Sequence, residues 1–200
     1  MLLDKPYPED LNLPTVLACG TCNNEFSRDE PYMACLIDCV LAGSVDPHRV
    51  GREKVRQLLT ARPHFGAEIL AGRQQQTDGT LVWQPDSARV RNVALKLARG
   101  HAAYELSEPK LADPDHLWIG PLCTLTPDQR AEFESVRPAM GWPEIGSRAF
   151  IRTLVVGHDV YMDNGWMVIQ PGRYRYIVSW ADGTLVRVVL SEYLAVEATW

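Results

Sequence analysis

The sequence contains little lysine and carries an excess of acidic residues. Only four of its 20 basic residues are lysines, at Lys5, Lys54, Lys96 and Lys110, and the others are arginines. The formal net charge of −5 excludes a general polyanion binder, so any nucleic-acid contact requires a local basic patch. Arginine suits bidentate contacts with phosphate or carboxylate better than lysine does.

Long apolar segments are also missing. No apolar run approaches the roughly 20 residues that a membrane helix requires, and the longest candidate, Ala34 to Ala42, is interrupted by Asp38. The first residues lack the basic and apolar regions of a signal peptide. The five cysteines cannot all pair with one another. We therefore expect a protein of the reducing cytoplasm that has no membrane contact.

Several sequence motifs of common enzymes are absent. The chain contains no Gly-x-Gly-x-x-Gly, P-loop, Gly-x-Ser-x-Gly or His-Glu-x-x-His motif, which leaves nucleotide-dependent and serine-hydrolase functions without support. The histidines are scattered, and a lone histidine is more often a surface or core residue than a catalytic one. We interpret all five as structural: His48, His64, His101, His116 and His158.

The residue pattern changes along the chain. Apolar residues at helical spacing predict helices in the N-terminal half, whereas the last third is rich in β-branched and aromatic residues. Asp182-Gly183 is a hairpin turn signal between two of these later segments. The pattern predicts an α+β fold, with a helical N-terminal half and an antiparallel β-sheet in the C-terminal half.

The start of the first helix has its own signals. Ser27-Arg-Asp-Glu30 is a capping box, which predicts that a helix begins at Ser27 and runs to about Gly43, a residue suited to end it. The short apolar run Thr15 to Ala18 predicts a strand that leads into the nearest cysteines.

Cys19-Gly-Thr-Cys22 is the strongest chemical feature of the sequence. The two-residue spacer allows both thiolates to bind one tetrahedral metal ion. A structural zinc requires four ligands, and the next cysteines are Cys35 and Cys39. The resulting Cys-x2-Cys-x12-Cys-x3-Cys spacing is that of a two-stranded zinc finger with cysteines in place of the helical histidines.

The roles of the two cysteine pairs remain open at this level. Cys35 and Cys39 lie within about 40° of each other around a helix, but burial as inert thiols is the favoured interpretation for them. For Cys19 and Cys22, binding of a metal ion is favoured over a knuckle motif that has lost its ion. A thioredoxin-type redox pair is the third and least favoured alternative. That motif lies directly before a helix in a βαβ unit, whereas here the predicted helix begins later and no βαβ pattern follows.

The segment from Val16 to Tyr32, VLACGTCNNEFSRDEPY, resembles the second half of the HNH endonuclease motif. In that family a Cys-x-x-Cys-Asn segment ends the β-hairpin and opens the helix of a ββα-metal finger. The resemblance implies that Cys19 and Cys22 hold half of a structural zinc, and that an upstream Cys-x-x-Cys pair holds the rest. It also implies that Asn23, or Asn24 in the alternative register, orients the catalytic histidine or ligates the catalytic metal.

The resemblance implies metal-dependent hydrolysis of nucleic-acid phosphodiesters. A histidine deprotonates water, while magnesium or another divalent cation stabilises the leaving oxyanion. The family's histidine precedes the Cys-Asn segment, yet the 18 residues before Cys19 contain no histidine and no cysteine. We therefore expect a shortened or degenerate copy with no activity from these residues alone, unless the fold brings His101 or His116 to Asn23.

The resemblance covers the beginning of the chain, and the residue pattern divides the rest. We expect residues 1–45 to be an HNH-like zinc-knuckle and helix remnant, residues 46–78 to be a helical extension, and residues 79–200 to be an α+β domain that ends in the antiparallel sheet. The polar segment Gln74 to Gly79 is the predicted boundary before the last of these. The alternative function is a non-catalytic, zinc-stabilised module that binds nucleic acid or protein.

One C-terminal segment offers candidate nucleic-acid contacts. In a strand, Arg173 and Arg175 share one face, while Tyr174 and Tyr176 share the other. A basic face can follow a phosphate backbone, with DNA favoured over RNA as the partner. For the tyrosines, packing in the core is the favoured alternative, whereas the role of the two arginines remains open.

Overall fold

A computed structural model describes residues 2–5, 15–135, 145–154, 162–163, 165–180 and 183–200. The side chains of Cys22, Glu25, residues 152–154 and residues 162–163 lie outside the described part. The chain divides into two compact units. The first unit comprises Met1–Leu2 and Ala18–Val93, and the second comprises Leu3–Leu17 and Ala94–Trp200.

Helices dominate the first unit. Its elements are α1 (Gly20–Ala42), a short 3-10 helix (Pro47–Arg49), α2 (Glu53–Ala61), α3 (Pro63–Ala71), the antiparallel hairpin of β1 (Arg73–Gln75) and β2 (Leu81–Trp83), and the beginning of α4 (Ser87–Leu106). The boundary between the units falls inside α4. The polar segment Gln74–Gly79, predicted as a boundary, contributes to the β1–β2 hairpin and its turn.

The second half of α1 is the buried centre of this unit. Residues 32–39 are all buried, and among them Met33 and Cys35 are 0% exposed. Gly43 ends the helix with a φ of +61°, which glycine adopts without steric cost. The amide N–H groups of Gly43 and Ser44 donate to the carbonyls of Val40 and Cys39, as in a Schellman motif. The predicted end of this helix is therefore confirmed.

The predicted beginning of α1 is wrong. The helix starts at Gly20, and residues 15–19 have no regular secondary structure, so the expected strand at Thr15–Ala18 does not form. Ser27 lies in the helix interior, where its Oγ donates to the carbonyl of Asn23 at 2.7 Å. A serine hydroxyl can bond either to the amides of a helix start or to the carbonyl four residues earlier, and here it takes the second option.

The second unit is built on an antiparallel sheet with the order β3-β8-β7-β6-β5-β4. This arrangement confirms the predicted α+β class, with helices in the N-terminal half and an antiparallel sheet at the C-terminus. The strands are β3 (His116–Pro121), β4 (Met162–Asp163), β5 (Trp166–Gln170), β6 (Tyr174–Ser179), β7 (Leu185–Leu190) and β8 (Leu194–Thr199). The helical elements are the end of α4, a 3-10 helix (Leu122–Thr124), α5 (Pro127–Glu134) and α6 (Arg148–Leu154).

Each face of this sheet packs against a different helix. On one face, Tyr174 and Tyr176 are buried and contact His101 of α4, which confirms that the tyrosines belong to the core. On the other face, α5 packs through Phe133. The hydrophobic cluster there comprises Leu122, Phe133, Trp166, Ile177, Val189 and Ala195, with Trp118 and Leu125 packed against it.

Candidate functional site

The Cys-x-x-Cys-Asn segment forms the beginning of α1. The carbonyl of Cys19 accepts the amide N–H of Asn23 at 2.9 Å, so Cys19 directly precedes the helix and Cys22 lies in its first turn. The side chain of Cys19 is exposed, whereas that of Cys22 lies outside the described residues. The positive end of a helix dipole favours the thiolate form of a cysteine, which is the form that binds metal.

Cys35 and Cys39 have a different environment. Both side chains are fully buried, and burial raises the pKa of each thiol to about 12. Cys35 lies in the same continuous helix as the first turn, roughly 24 Å along the axis from Cys19 at 1.5 Å per residue. The structure therefore does not bring the four cysteines of the predicted zinc site together, and the inert-thiol interpretation describes Cys35 and Cys39.

A Cys-x-x-Cys pair at the start of α1 has the ligand chemistry of half a tetrahedral zinc site. Among the described side chains, no three from histidine, cysteine, aspartate and glutamate gather into a group able to hold a metal ion. Such a pair supplies at most two of the four ligands that structural zinc requires. Two further ligands must come from outside this pair.

Asn23 is exposed in the first turn of α1. His101, considered as a possible base, lies instead in the core of the second unit. Its Nε2 is 2.6 Å from the Tyr174 hydroxyl, and its ring stacks on Tyr176 with centroids 3.7 Å apart. Burial lowers the pKa of His101 to about 3, so the ring is neutral near pH 7. This environment is that of a core histidine.

The two arginines predicted to contact nucleic acid are engaged within the second unit. Arg175 donates to both carboxylate oxygens of Glu134, at 2.7 and 2.9 Å, and to both of Glu192, at 2.9 and 3.0 Å. Arg173 donates to Asp4 at 3.1 Å and to Ser191 at 2.8 Å. A phosphate group would have to displace these carboxylates, so the geometry does not favour a basic face.

The ion pair of Arg175 shifts the pKa of its partner. Burial raises the pKa of the Glu134 carboxyl, but hydrogen bonds and charge from Arg175 and Arg130 outweigh that effect and lower it overall. The Arg175 guanidinium also lies over the Trp166 ring, 4.3 Å from its centroid. An aromatic plane and two carboxylates thus hold one guanidinium.

Arg187 is a buried charge whose structural role the sequence did not reveal. Its side chain is 2% exposed, and its Nε donates to Glu197 at 2.6 Å. Its Nη1 donates to the carbonyls of Glu132, Phe133 and Ser135, at 3.0, 2.9 and 2.8 Å. Because the last carbonyls of a helix have no partner within it, Arg187 joins the C-terminal end of α5 to the sheet. A lone arginine inside the apolar run of β7 was the available signal.

Two cavities flank α5 on its face of the sheet. One, of about 550 Å³, is lined by Glu134, Trp166, Gln170, Arg175 and Glu192 among others. The other, of about 470 Å³, is lined by aromatic, apolar and charged side chains. These include Trp118, Leu125, Asp128, Glu132, Phe133, Arg187 and Glu197.

Within the described residues, no helix combines the length and apolar character needed to cross a membrane. Comparison with protein-family profiles, curated protein sequences and solved structures found no match.

Proposed function

We propose that this chain is an HNH-type nuclease protein that carries the zinc-binding and asparagine-bearing half of that active site. The reaction class is metal-dependent hydrolysis of nucleic-acid phosphodiesters, with DNA as the favoured substrate. The residues that carry the proposal are Cys19 and Cys22 as zinc ligands and Asn23 as the polar group beside the reaction centre.

The observation that supports this function is the position of the segment at the exposed start of a firmly anchored helix. Gly20, Thr21 and Asn23 in the first turn of α1 are exposed, while residues 32–39 of the same helix are buried and fix its direction. A site of this kind needs accessible ligands on a rigid element. The amide N–H groups of the first turn can also donate to bound sulfur, which favours a thiolate pair there.

The proposed roles follow from the chemistry of each group. Structural zinc, when bound, would cross-link the start of α1 to whatever supplies its other two ligands. A magnesium or similar divalent cation would supply stabilisation of the leaving oxyanion. Asn23 would orient neighbouring groups through its amide. Because the motif contains no histidine, these residues alone provide no general base, and we expect no cleavage from them.

A non-catalytic module is the second candidate, and the missing motif histidine favours it. In that case the zinc-stabilised start of α1 would bind nucleic acid or protein without cutting it. For either function we propose the cytoplasm as the location. The thiols of Cys35, Cys39 and Cys123, which form no disulfide, support a reducing compartment.

Zinc titration against a competing chelator tests the metal site. We expect less than one tightly held zinc per chain, and we expect Cys19→Ser or Cys22→Ser to abolish it. Cys123→Ser is the matched control, because Cys123 is also an exposed cysteine and its loss should leave zinc binding unchanged. One full zinc per chain that disappears in Cys35→Ser would contradict the proposal.

Nuclease assays with magnesium or manganese test whether the chain is an active enzyme, since both candidate functions predict that it does not cut nucleic acid. We expect no cleavage of single-stranded or double-stranded DNA. Cleavage that is lost in Asn23→Ala would show that a histidine outside the motif supplies the base. A gel-shift measurement on the same DNA then distinguishes a nucleic-acid binder from a protein binder.

A further inference from the structure

The positive charge of the chain is concentrated in one segment of the first unit. Residues 47–83, which form the first 3-10 helix, α2, α3 and the β1–β2 hairpin, contain six basic and three acidic residues. Their formal charge of +3 contrasts with the −5 of the whole chain, so all other residues together carry −8. An acidic chain that binds a polyanion requires a local basic patch of this kind.

Four basic side chains of this segment are exposed and form no ion pair with the other residues that the structure describes. They are distributed from the 3-10 helix to the first hairpin strand: Arg49, Lys54, Arg62 and Arg73. Nearby acidic side chains have other partners. Glu53 pairs with Arg56, although it is next to Lys54 in sequence. Glu68 pairs with Arg89. The four cations can therefore bind an external anion, unlike Arg175 in the second unit, which two carboxylates hold.

The fold spaces these cations along elements that pack on one another. α2 contacts the 3-10 helix before it and α3 after it. It buries Val55 and Leu59 and leaves Lys54 exposed. At 1.5 Å per residue, Lys54 and Arg62 lie roughly 12 Å apart along α2. That distance is comparable to the width of the DNA major groove, about 12 Å, so the two cations can contact phosphates on its two sides.

The hairpin carries the fourth cation on an aromatic ring. The Arg73 guanidinium lies over Trp83, its partner on β2, 5.5 Å from the ring centroid. Stacking of this kind orients a planar cation, and its N–H groups can still donate to a phosphate. All residues from Arg73 to Thr80 are exposed. The amide and hydroxyl groups of this polar hairpin can add hydrogen bonds to a sugar–phosphate backbone.

The aromatic residues of the segment argue against single-stranded nucleic acid as the partner. Proteins that bind single strands without sequence preference stack the bases on exposed aromatic rings. Here Phe65 is buried, and Trp83 is partly buried with Arg73 over its ring. A duplex keeps its bases stacked inside, so phosphate contacts need only cations and hydrogen-bond donors.

We propose that the surface formed by the first 3-10 helix, α2 and the β1–β2 hairpin binds double-stranded DNA through its phosphates. Each of the four unpaired cations contacts a phosphate, and the exposed hairpin residues add hydrogen bonds to the backbone. The choice of DNA over RNA rests on the proposed function. The surface itself does not include Cys19, Cys22 or Asn23.

Fluorescence anisotropy with a labelled DNA duplex of about 20 base pairs tests the proposal on the full chain, without added magnesium. With four phosphate contacts, the logarithm of the affinity should fall against the logarithm of the salt concentration with a slope of about −3.6. The triple variant Lys54→Gln, Arg62→Gln, Arg73→Gln should reduce the slope to about −1 and weaken binding by about tenfold or more. The single variant Lys54→Gln should reduce the slope by about 0.9.

A second triple variant is the matched control. Arg99→Gln, Lys110→Gln, Arg130→Gln removes the same charge from side chains that already pair with carboxylates in the second unit. It should bind the duplex with nearly the affinity and slope of the wild type. Equal losses in both triple variants would show an effect of net charge alone and would overturn the proposal. Thermal unfolding that matches the wild type ensures that a loss of affinity does not reflect unfolding.

The choice of partner is tested by competition. We expect neither polyglutamate nor a single strand of the same length to displace the duplex as well as unlabelled duplex does. Equal or better competition by polyglutamate would overturn the proposal in favour of an acidic protein partner. Equal or better competition by the single strand would overturn the choice of a duplex. Absence of duplex binding would overturn the proposal as well.

Failure of this surface can be distinguished from failure of the proposed zinc site. The double variant Cys19→Ser, Cys22→Ser should bind the duplex like the wild type, because neither cysteine belongs to the surface. A chain that binds the duplex but no zinc contradicts the proposed zinc site and leaves the surface supported. A chain that binds zinc but no duplex contradicts the surface alone.

Discussion

Arg187 and Glu197 lie directly opposite each other on adjacent strands, and the Nε of Arg187 donates to a carboxylate oxygen of Glu197 at 2.6 Å. Arg187 is almost fully buried and also bonds the last carbonyls of α5. The pair thus ties two strands and a helix together. Desolvation of the guanidinium is offset only because all of these acceptors are present.

Replacing Arg187 with methionine should lower the free energy of unfolding by about 3–5 kcal/mol, because Glu197 and the carbonyls of α5 lose their donor. Urea unfolding measures the effect. Arg130→Met is the control, since Arg130 is substantially exposed and pairs with Glu134 near solvent, where a loss below about 1 kcal/mol is expected. Similar losses in both variants would contradict this role for Arg187.

The free energy of unfolding should depend on pH through His101. Its pKa is about 3 in the folded protein and 6.5 when unperturbed, so the unfolded chain binds the proton more readily between these values. Stability is therefore fully present above pH 6.5 and falls as the pH is lowered toward 3, with a slope of up to about 1.4 kcal/mol per pH unit.

The free energy of unfolding, measured with urea at several pH values between 7 and 5, checks this dependence. The range lies above the pH at which most carboxylates titrate, so their contribution is small. His101→Gln should reduce the slope, while His116→Gln, at an exposed position, should leave it unchanged. If the slope is the same in wild type and His101→Gln, the burial of His101 does not govern the pH dependence.

The cysteines should differ sharply in reactivity. Brief treatment with iodoacetamide at pH 8, followed by mass spectrometry, should modify the exposed thiols of Cys19 and Cys123. Cys35 and Cys39 should react only after unfolding, because both are buried and their pKa values are raised to about 12. Rapid modification of Cys35 in the native protein would contradict the buried position of α1.

Gly120 should resist replacement by alanine. A Cβ at this position would lie 2.8 Å from the Trp118 indole, so the ring would have to move, at a cost of about 1–3 kcal/mol. Gly51→Ala is the control, since no atom lies within 4 Å of the Cβ it would add. Equal thermal stability of Gly120→Ala and wild type would show that the indole does not pack against this strand.

Periodicity and turn signals were sufficient to predict the fold class. Alternating β-branched and aromatic residues around Tyr174 and Tyr176 indicated the sheet, and Gly43 marked the end of α1. These signals are local, because side-chain alternation and a positive φ depend on neighbouring residues.

The start of α1 was predicted incorrectly because two local structures compete for the same residues. The Ser27 capping box is a valid helix start, but Gly20 to Phe26 continue the helix in the other direction, and Ser27 then bonds to the carbonyl of Asn23. The partners of Arg175 and Arg187 could not be predicted, since Glu134 and Glu197 meet them only through sheet register and the packing of α5.

X-ray absorption at the zinc edge tests the central claim, that Cys19 and Cys22 hold a zinc ion at the start of α1. Protein loaded with zinc should show a sulfur shell at about 2.3 Å. The sulfur shell should disappear in the double variant Cys19→Ser, Cys22→Ser and persist in the single variant Cys123→Ser. A zinc environment without sulfur, or one that is unchanged when both Cys19 and Cys22 are replaced, would contradict the account.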